Sequence, residues 1–583
     1  MIRKTSQYEL PVVKDSVPVS YDIYPTHSFD NGQINIGFDS LAQELGESGI
    51  VKLDGFVGIL FEEVRRRLDL ALQQRGISAK WIGVNNAMLS SKIIDELVEP
   101  FLGGDDPVFG KLCQYSLSDF FDQSRLVRLA EQKAEGLTIF YGTGAALVEG
   151  EGTLIFFDIA KNEIQFRSRA GVLSNLGANT ADEPKKMYKR FYFVDWIVLR
   201  QHMKSIKEKI DFFVDGQRSN EITWVHGEVW RKALLGLLTR PLRVRPWFEP
   251  GVWGGSWIKE NIGGLNNNVI NYAWSFELIT PENGIILAHN KVLLECSFDW
   301  LMFFAKENLV GTAYKLYGDI FPIRFDFLDT FNGGNLSIQC HPRKEYMLEH
   351  FGEIITQEET YYILDRQPNA KVYLGFQEGV TKEKFGEALE KSFLQNEPLP
   401  VDDYIISFTA NKHDLFLIPP GTIHASGAGA LVLEISSTPY IYTFKMYDWL
   451  RLDLDGRPRP LNIARGMDNL NFERCGDVVA ETLIVHPLLL VQDCDFSLYH
   501  LPTHHDHLYD IHRYLIHREV TINTDFKVHV LSLVEGERIE ILIDEDSLLF
   551  AYAETVVIPA AVKKYTIRNR SKSSAIVIKA FLK

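Results

Sequence analysis

The hydrophobic pattern changes near residue 245, and this change constrains the fold more than any other feature. Before it, apolar runs alternate with helical patterns. The clearest passage is IVKLDGFVGILFEEVRRRLDLALQQRG (50–76). A short apolar run meets Asp54 and Gly55, Gly58 follows, and apolar residues then recur at helical spacing through Leu60, Phe61, Val64, Leu68 and Leu72. Strand, glycine turn and helix open an α/β unit. A second helix is expected near 121–135, strands broken by glycines over 136–159, and a further strand-to-helix passage over 186–210. After 245, short apolar runs are separated by Gly, Pro, Asn and Asp, the style of all-β sandwiches and barrels. WSFELI (274–279), GIILAH (284–289), NLSIQCHP (335–342), TYYILD (360–365), AKVYLGF (370–376), DLFLIPPG (414–421) and ALVLEISS (430–437) all fit. One helical insert interrupts them, TKEKFGEALEKSFLQ (381–395), with Phe385, Leu389 and Phe393 on one face. The β style resumes from about 480. Strands ending in Ile-Pro occur in both stretches (417–421 and 557–561), consistent with distant copies of one barrel.

Charge narrows the choice of partner. The 583 residues include 61 basic and 77 acidic side chains, a net of −16. That balance does not suit a phosphate backbone, so no nucleic-acid partner is expected. The hydrophobic share of 46% and charged share of 24% are those of a globular chain. No apolar run approaches the ~20 residues that span a bilayer. The opening MIRKTSQYELPVVKDS lacks the apolar core of a signal peptide. The five cysteines are sparse and never form C-x-x-C, so no disulfide framework is indicated. The expected compartment is the cytoplasm, with no membrane partner.

LSIQCHP (336–342) is the sharpest local feature. In a strand, residues i and i+2 share a face, so Gln339 and His341 point together. Glu359 opens the next strand, and His424 follows a tight turn in IPPGTIHASG. Two imidazoles, a carboxylate and an amide oxygen from neighbouring strands can enclose a divalent ion. Such mixed ligation suits Zn²⁺, with Mn²⁺, Fe²⁺ or Co²⁺ as alternatives. The competing reading is a pair of hydrogen-bonded core histidines. YHLPTHHDHLYDIHRYLIH (499–517) holds His500, His504, His505, His507, His512 and His517. His505 and His507 share a face if that segment is extended, which leaves open a second metal site or an exposed, pH-sensitive edge.

From about 245 to 583 the chain resembles the type I mannose-6-phosphate isomerases, especially their shorter bacterial branch. An ordered series carries the resemblance: VWGG (252–255), YAWSFEL (272–278), FPIRFDFLD (321–329) with LSIQCHP, ETYYIL (359–364), LGFQEGVTKEKFGEAL (374–389) and LFLIPPGTIHA (415–425). The resemblance implies tandem cupin domains and one divalent metal, usually zinc, on Gln339, His341, Glu359 and His424. It implies isomerisation of mannose 6-phosphate to fructose 6-phosphate, with a small-molecule sugar phosphate as partner. Two positions depart from the family. Gln357 stands where a lysine is usual, and Lys445 in YTFKMYDWLR (442–451) aligns with the active-site arginine. Arg451 ends a motif like the bacterial Tyr-Asp-x-x-Arg. Lys445 and Arg451 are the expected catalytic side chains, with surface solubility as their alternative role.

LDGFVGILFEE distantly resembles the opening of nucleoside-kinase-like P-loop domains. A working loop needs G-x-x-x-x-G-K-[ST], and neither Lys nor Ser/Thr follows Gly58. GGDDPVFGKL (103–112) has a Gly-Lys at the wrong spacing, and YGTGAAL (141–147) offers flexible glycines. The expected architecture is therefore multidomain. An α/β kinase-like domain that has lost catalysis covers 1–240, serving ligand binding, assembly or a purely structural role. A metal-binding cupin covers 245–470, with a helical insert near 378–397, and a second cupin-like domain covers 471–583. The alternatives to an isomerase are a non-catalytic sugar-binding or regulatory cupin and a bifunctional protein with an amino-terminal kinase.

Overall fold

The computed structural model describes residues 2–15, 20–30, 32–104 and 106–583. The chain has mixed α/β content with predominantly β sheets, and forms two compact units. The first takes in Tyr24–Leu237 and Pro281–Ala305. Its main sheet contains β2 (Asn35–Ile36), β3 (Gly49–Gly55), β4 (Ala79–Gly83), β5 (Leu137–Tyr141), β6 (Thr153–Asp158), β7 (Phe212–Asp215) and β8 (Thr223–His226). Their spatial order is β2-β8-β7-β6-β3-β5-β4. The run from β7 to β4 is parallel, and β8 turns antiparallel onto β7. Parallel neighbours need crossovers, and helix Phe61–Gln74 supplies one by burying Val64, Leu68, Ala71 and Leu72. A small sheet joins β1 (Thr26–Ser28), β11 (Gly284–His289) and β12 (Val292–Ser297).

Several expectations need correction here. The passage 186–210 contains no strand: helix Pro184–Arg190, a π-turn over Phe191–Asp195 and helix Trp196–Ile206 follow one another. Phe191, Phe193, Val194 and Trp196 are all buried, and a run with apolar surroundings on every side shows no helical period. GIILAH is a strand, but it belongs to the first unit and not with the other strands that follow residue 245. Asp158 anchors this segment by accepting from the Ser297 backbone N–H at 2.7 Å and the Trp300 indole at 3.0 Å.

The P-loop resemblance also gains no support. The Arg167 guanidinium donates to the Gly58 carbonyl at 2.7 Å and to the Gln217 carbonyl, filling the turn after β3 with a side chain. The glycine loop after β5 turns its amides inward: Gly144 and Ala146 donate to the Asp54 carboxylate at 2.8 and 2.9 Å. His202 Nε2 contacts the same carboxylate at 2.8 Å. Both loops are closed on internal partners.

The second unit takes in Leu238–Thr280 and Lys306–Lys583. Its first β-sandwich uses β9 (Trp247–Glu249), β10 (Trp274–Leu278), β13 (Ile323–Asp329), β14 (Ile338–Cys340), β15 (Glu359–Arg366), β16 (Lys371–Phe376), β17 (Ile405–Thr409), β18 (Leu415–Ile418), β19 (His424–Ser426), β20 (Ala430–Ser437) and β21 (Phe444–Tyr447). One sheet runs β18-β15-β20-β13-β10-β9 and the other β17-β16-β19-β14-β21. The second sandwich uses β22 (Leu488–Gln492), β23 (Phe496–Leu501), β24 (Tyr509–Ile516), β25 (Glu519–Asn523), β26 (His529–Glu535), β27 (Arg538–Ile543), β28 (Asp546–Ala551), β29 (Thr555–Ile558), β30 (Lys564–Asn569) and β31 (Ala575–Leu582). Its sheets run β29-β26-β31-β24-β23-β22 and β28-β27-β30-β25. The order β18-β15-β20-β13 thus recurs as β29-β26-β31-β24, and β17-β16-β19-β14 as β28-β27-β30-β25. The two Ile-Pro strands, β18 and β29, occupy equivalent places.

The helical insert is Lys382–Gln395. Phe385 and Leu389 are buried, but Phe393 is 62% exposed. Eight residues at ~100° each rotate Phe393 roughly 80° away from Phe385, off the apolar stripe. His505 and His507 do not share a strand face either. They lie in the turn before β24, with His505 exposed and His507 buried.

Burial governs the histidines of this sandwich. It lowers His504 and His512 to about 4 each, and pushes His507 and His529 well below their ordinary value. Each is neutral when folded and would take up a proton near pH 6.5 once unfolded. Protons therefore bind the unfolded chain first as pH falls, and stability drops. Buried carboxyls of the same unit, Glu277, Asp329 and Glu353 at about 7 and Asp326 at about 6, act with the opposite sign, so the histidine contribution is read as a difference: in urea unfolding, His504→Asn with His512→Asn should gain stability relative to the wild type as pH falls from 6.5 towards 4. The slope approaches about 1.4 kcal/mol per pH unit for each histidine titrating. A stability difference between the two proteins that does not change across that window would refute the assignment.

Candidate metal centre

Three of the four predicted ligands sit where a strand begins or ends. Gln339 lies on β14, and His341 follows that strand, with Pro342 removing the next backbone donor. Glu359 is the first residue of β15, and His424 the first of β19. Gln339 pairs with His424 across β14–β19, so their side chains share a face. The turn entering β19 is tightly specified. Thr422 donates its hydroxyl to the Pro419 carbonyl at 2.6 Å, and Gly421 adopts φ +79°. A Cβ at Gly421 would stand 2.5 Å from the Asn469 carbonyl oxygen. Gly421→Ala is therefore expected to cost about 1–3 kcal/mol in urea unfolding and to weaken metal retention by displacing His424. Wild-type stability in that variant would contradict the strained-turn account.

The donor atoms converge. Glu359 Oε2 lies 2.6 Å from His341 Nε2 and 3.0 Å from His424 Nε2, with all three residues buried. Gln339 Nε2 approaches His424 Nε2 at 3.4 Å. Rotating this amide end for end would present its oxygen instead, since the two orientations have nearly the same shape. The other ring nitrogens are committed: His341 Nδ1 to the Tyr442 carbonyl at 3.1 Å, His424 Nδ1 to the Thr422 carbonyl at 2.9 Å. A carbonyl only accepts, so each Nδ1 carries a proton, which leaves each Nε2 as the atom able to bind a metal. Both Nε2 atoms face the same carboxylate oxygen. Glu359 Oε1 is buried with no hydrogen-bond partner among the described residues.

Burial lowers the basicity of His341 and favours the neutral ring. Burial raises Glu359, but the two imidazoles outweigh it and hold the carboxyl well below its usual range. Two ring nitrogens held against one buried carboxylate oxygen need positive charge, which protons on the rings or a bound divalent cation would supply. The backbone-bound Nδ1 atoms are also what fixes ligating imidazoles in place. The residues present fit a divalent metal with nitrogen and oxygen ligands.

Sequence reasoning missed a polar group on the facing sheet. Arg324 and Asp326 on β13, Glu434 and Ser436 on β20, and Glu359 and Tyr361 on β15 share one face by register. The Arg324 guanidinium contacts Glu434 and lies 3.1 Å from Asp326. Gln357 fits with its amide nitrogen 3.2 Å from the Tyr440 carbonyl and its oxygen 3.1 Å from Arg324. Burial pushes Asp326 up to about 6, with Arg324 opposing and Glu359 adding to the shift. The Tyr361 ring packs 5.9 Å from that of His424. The available signal was the alternation in FPIRFDFLD, two charges at i and i+2 inside an apolar run.

The two expected catalytic residues are placed differently. Lys445 lies on β21 in register with Gln339, on the same face. Arg451 is tied to Asp448 at 2.6 Å and to the Asn335 carbonyl at 2.7 Å. Asp448 also accepts from Arg459 at 2.8 Å and Ser337 at 2.7 Å. In the histidine-rich segment, His504, His505 and Asp506 offer atoms close enough to share an ion. The His504 Nδ1 lone pair, however, already accepts from the Asp506 backbone N–H at 3.2 Å, which weakens that set.

Comparison with known proteins gives two separate results. Residues 37–239 match a family described as a domain of unknown function (DUF8485). The chain is also similar to the mannose-6-phosphate isomerase ManA of Bacillus subtilis, 26% identical over 259 residues, 42% of this chain and 77% of that protein. A mannose-6-phosphate isomerase of Streptococcus mutans is 26% identical over 266 residues, 45% of this chain and 78% of that protein. Among solved structures, the mannose 6-phosphate isomerase from Bacillus subtilis aligns with a TM-score of 0.47 and 19% identity, covering 58% of this chain and 99% of that one. No helix among the described residues is long and apolar enough to cross a membrane.

Proposed function

We propose that this protein is a metal-dependent aldose–ketose isomerase, converting mannose 6-phosphate to fructose 6-phosphate in the cytoplasm. The reading assigns an α/β domain to 1–240, a metal-binding cupin to 245–470 and a second cupin-like domain to 471–583. The observation that carries it is the convergence of two imidazole Nε2 atoms on one buried carboxylate. The names of the similar proteins supply the substrate class.

Gln339, His341, Glu359 and His424 would hold the metal, zinc in the first instance. Bound there, it would supply the Lewis acidity that favours an enediolate over the neutral sugar. The protein's contribution is a dry, fixed setting, since buried donors act at low dielectric and need no reorganisation. Lys445, beside Gln339 across the β14–β21 pair, places positive charge on the site face for an anionic sugar. Arg451, oriented by Asp448, presents its planar guanidinium to the same substrate.

A second reading, a non-catalytic sugar-binding cupin, is favoured by Gln357, which here braces Arg324. One experiment separates the two. Purified protein is stripped with chelator, reloaded with Zn²⁺, Mn²⁺ or Co²⁺, and assayed for aldose–ketose conversion across hexose phosphates. Turnover restored by metal supports the isomerase. Stoichiometric metal with sugar-phosphate binding but no turnover of any hexose phosphate would leave only the binding protein.

A further inference from the structure

The second sandwich keeps polar groups in the place where the first holds its candidate metal centre, but of the opposite charge. Register fixes the correspondence. In the first sandwich, Glu359 pairs with Ser436 and Ser436 with Arg324, while Tyr361 pairs with Glu434 and Glu434 with Asp326. In the second, His529 pairs with Phe581 and Phe581 with Asp510, while Leu531 pairs with Lys579 and Lys579 with His512. Strands β15 and β26 are equivalent, and Glu359 and His529 are the first residue of each. Glu359 therefore corresponds to His529, Asp326 to His512 and Glu434 to Lys579. Arg324 corresponds to Asp510. Basic groups replace the three carboxylates, and a carboxylate replaces the guanidinium.

These groups continue the inward face of the sandwich. Tyr514, Leu531 and Val577 belong to its core, and His512, His529 and Lys579 each lie two residues along the same strand. They gather round one phenyl ring. The Phe581 ring lies 4.8 Å from that of His512 and 6.0 Å from that of His529. Lys579 Nζ stands 4.6 Å and Lys527 Nζ 5.8 Å from the centre of that ring. Lys579 is 6% exposed and has no ion pair or hydrogen bond among the described residues. Burial lowers its ammonium to about 8. Asp525 and Asp510 oppose that shift from beyond ion-pair distance, and Asp510 is held by His500 at 2.8 Å. His512 Nδ1 is also buried with no hydrogen-bond partner among the described residues. His529 Nδ1 lies 3.0 Å from the Tyr565 hydroxyl, which leaves Nε2 to meet a ligand. A buried ammonium without a counter-charge is unfavourable. The faces of Phe581 and Tyr514 offset part of that cost but supply no anionic acceptor.

We propose that this mouth binds the phosphate group of a small ligand, with Lys579 as its counter-charge and His512 and His529 as hydrogen-bond donors. Phosphate is favoured over carboxylate because the donors come from three strands and none is an arginine. A tetrahedral anion accepts from several directions, whereas a planar carboxylate is matched by the two-pronged guanidinium. Lys527 adds a second positive charge for a phosphate dianion, and Phe581 offers an esterified sugar an apolar face. The site shares no residue with the metal centre, so its occupancy is read separately from turnover.

The test is calorimetry of the metal-loaded full chain titrated with inorganic phosphate, fructose 6-phosphate or fructose. Wild type, Lys579→Met and His512→Asn are compared. The expected result is phosphate binding by the wild type that weakens at least ~30-fold in Lys579→Met and by a smaller factor in His512→Asn. Fructose should show no component that depends on Lys579. A Lys579-dependent component tighter for fructose 6-phosphate than for phosphate assigns the sugar ester, and the reverse assigns free phosphate. Lys579→Met removes an unpaired buried charge, so without phosphate it should melt no lower than the wild type. Added phosphate should raise the melting temperature of the wild type more than that of the variant. No phosphate binding by the wild type would overturn the proposal. Phosphate affinity unchanged in Lys579→Met would also do so, and if that variant does not fold, unchanged affinity in His512→Asn decides in the same way.

Discussion

Glu359→Gln is expected to lose bound metal and isomerase activity while keeping the fold. The carboxylate supplies the anionic donor between two imidazoles, 2.6 and 3.0 Å away. Losing it removes one ligand and the charge that offsets the cation. Supporting residues around a site typically contribute 10–100-fold in affinity, so a direct ligand should cost about 10³-fold or more. If transition-state charge stabilisation worth several kcal/mol goes with it, turnover falls by at least about 10³-fold. A glutamine amide can donate where the glutamate could only accept, so in the metal-free state its N–H meets an imidazole lone pair. Chelator should therefore lower the melting temperature of the wild type and leave that of Glu359→Gln unchanged. Full metal occupancy in the variant would remove the proposed centre, whatever its activity.

Arg324→Met should produce the largest loss of stability. The guanidinium is buried between Asp326 and Glu434, and both carboxylates are buried as well. Removing one partner of a buried ion pair strands the other charge, a loss of about 3–5 kcal/mol. Here two carboxylates are stranded on the face that also carries Glu359. The cost should depend on pH. Asp326 is already pushed up to about 6 with the arginine in place. Without it the neutral acid is favoured further, and protonation of the folded variant restores stability as pH falls. Urea unfolding at pH 8 should show the full deficit, shrinking towards pH 5. A deficit below about 1 kcal/mol at pH 8 would mean that the network is not maintained in solution.

The class of each half was legible because periodicity is local. The helical spacing through Val64, Leu68 and Leu72 appears as the helix Phe61–Gln74, and the alternating runs after 320 appear as strands. It failed where local pattern was silent. FYFVDWIV shows no period because it is buried on all sides, and it is helical. GIILAH was recognised as a strand but placed with the wrong neighbours, because pairing with β1 is set by residues more than 250 positions away. The glycine loops invited a phosphate, and only coordinates show Arg167 and Asp54 already occupying them.

Of the candidate centre, the sequence alone determined the donor types and the shared face of Gln339 and His341, since alternation along a strand is fixed by backbone geometry. Tertiary structure decided which donors meet. It set Glu359 between two imidazoles, directed both Nδ1 protons to carbonyls, and put Arg324 and Asp326 on the sheet face that carries Glu359. Those outcomes depend on strand register and sheet-on-sheet packing, which are long-range and carry no local signature in the chain.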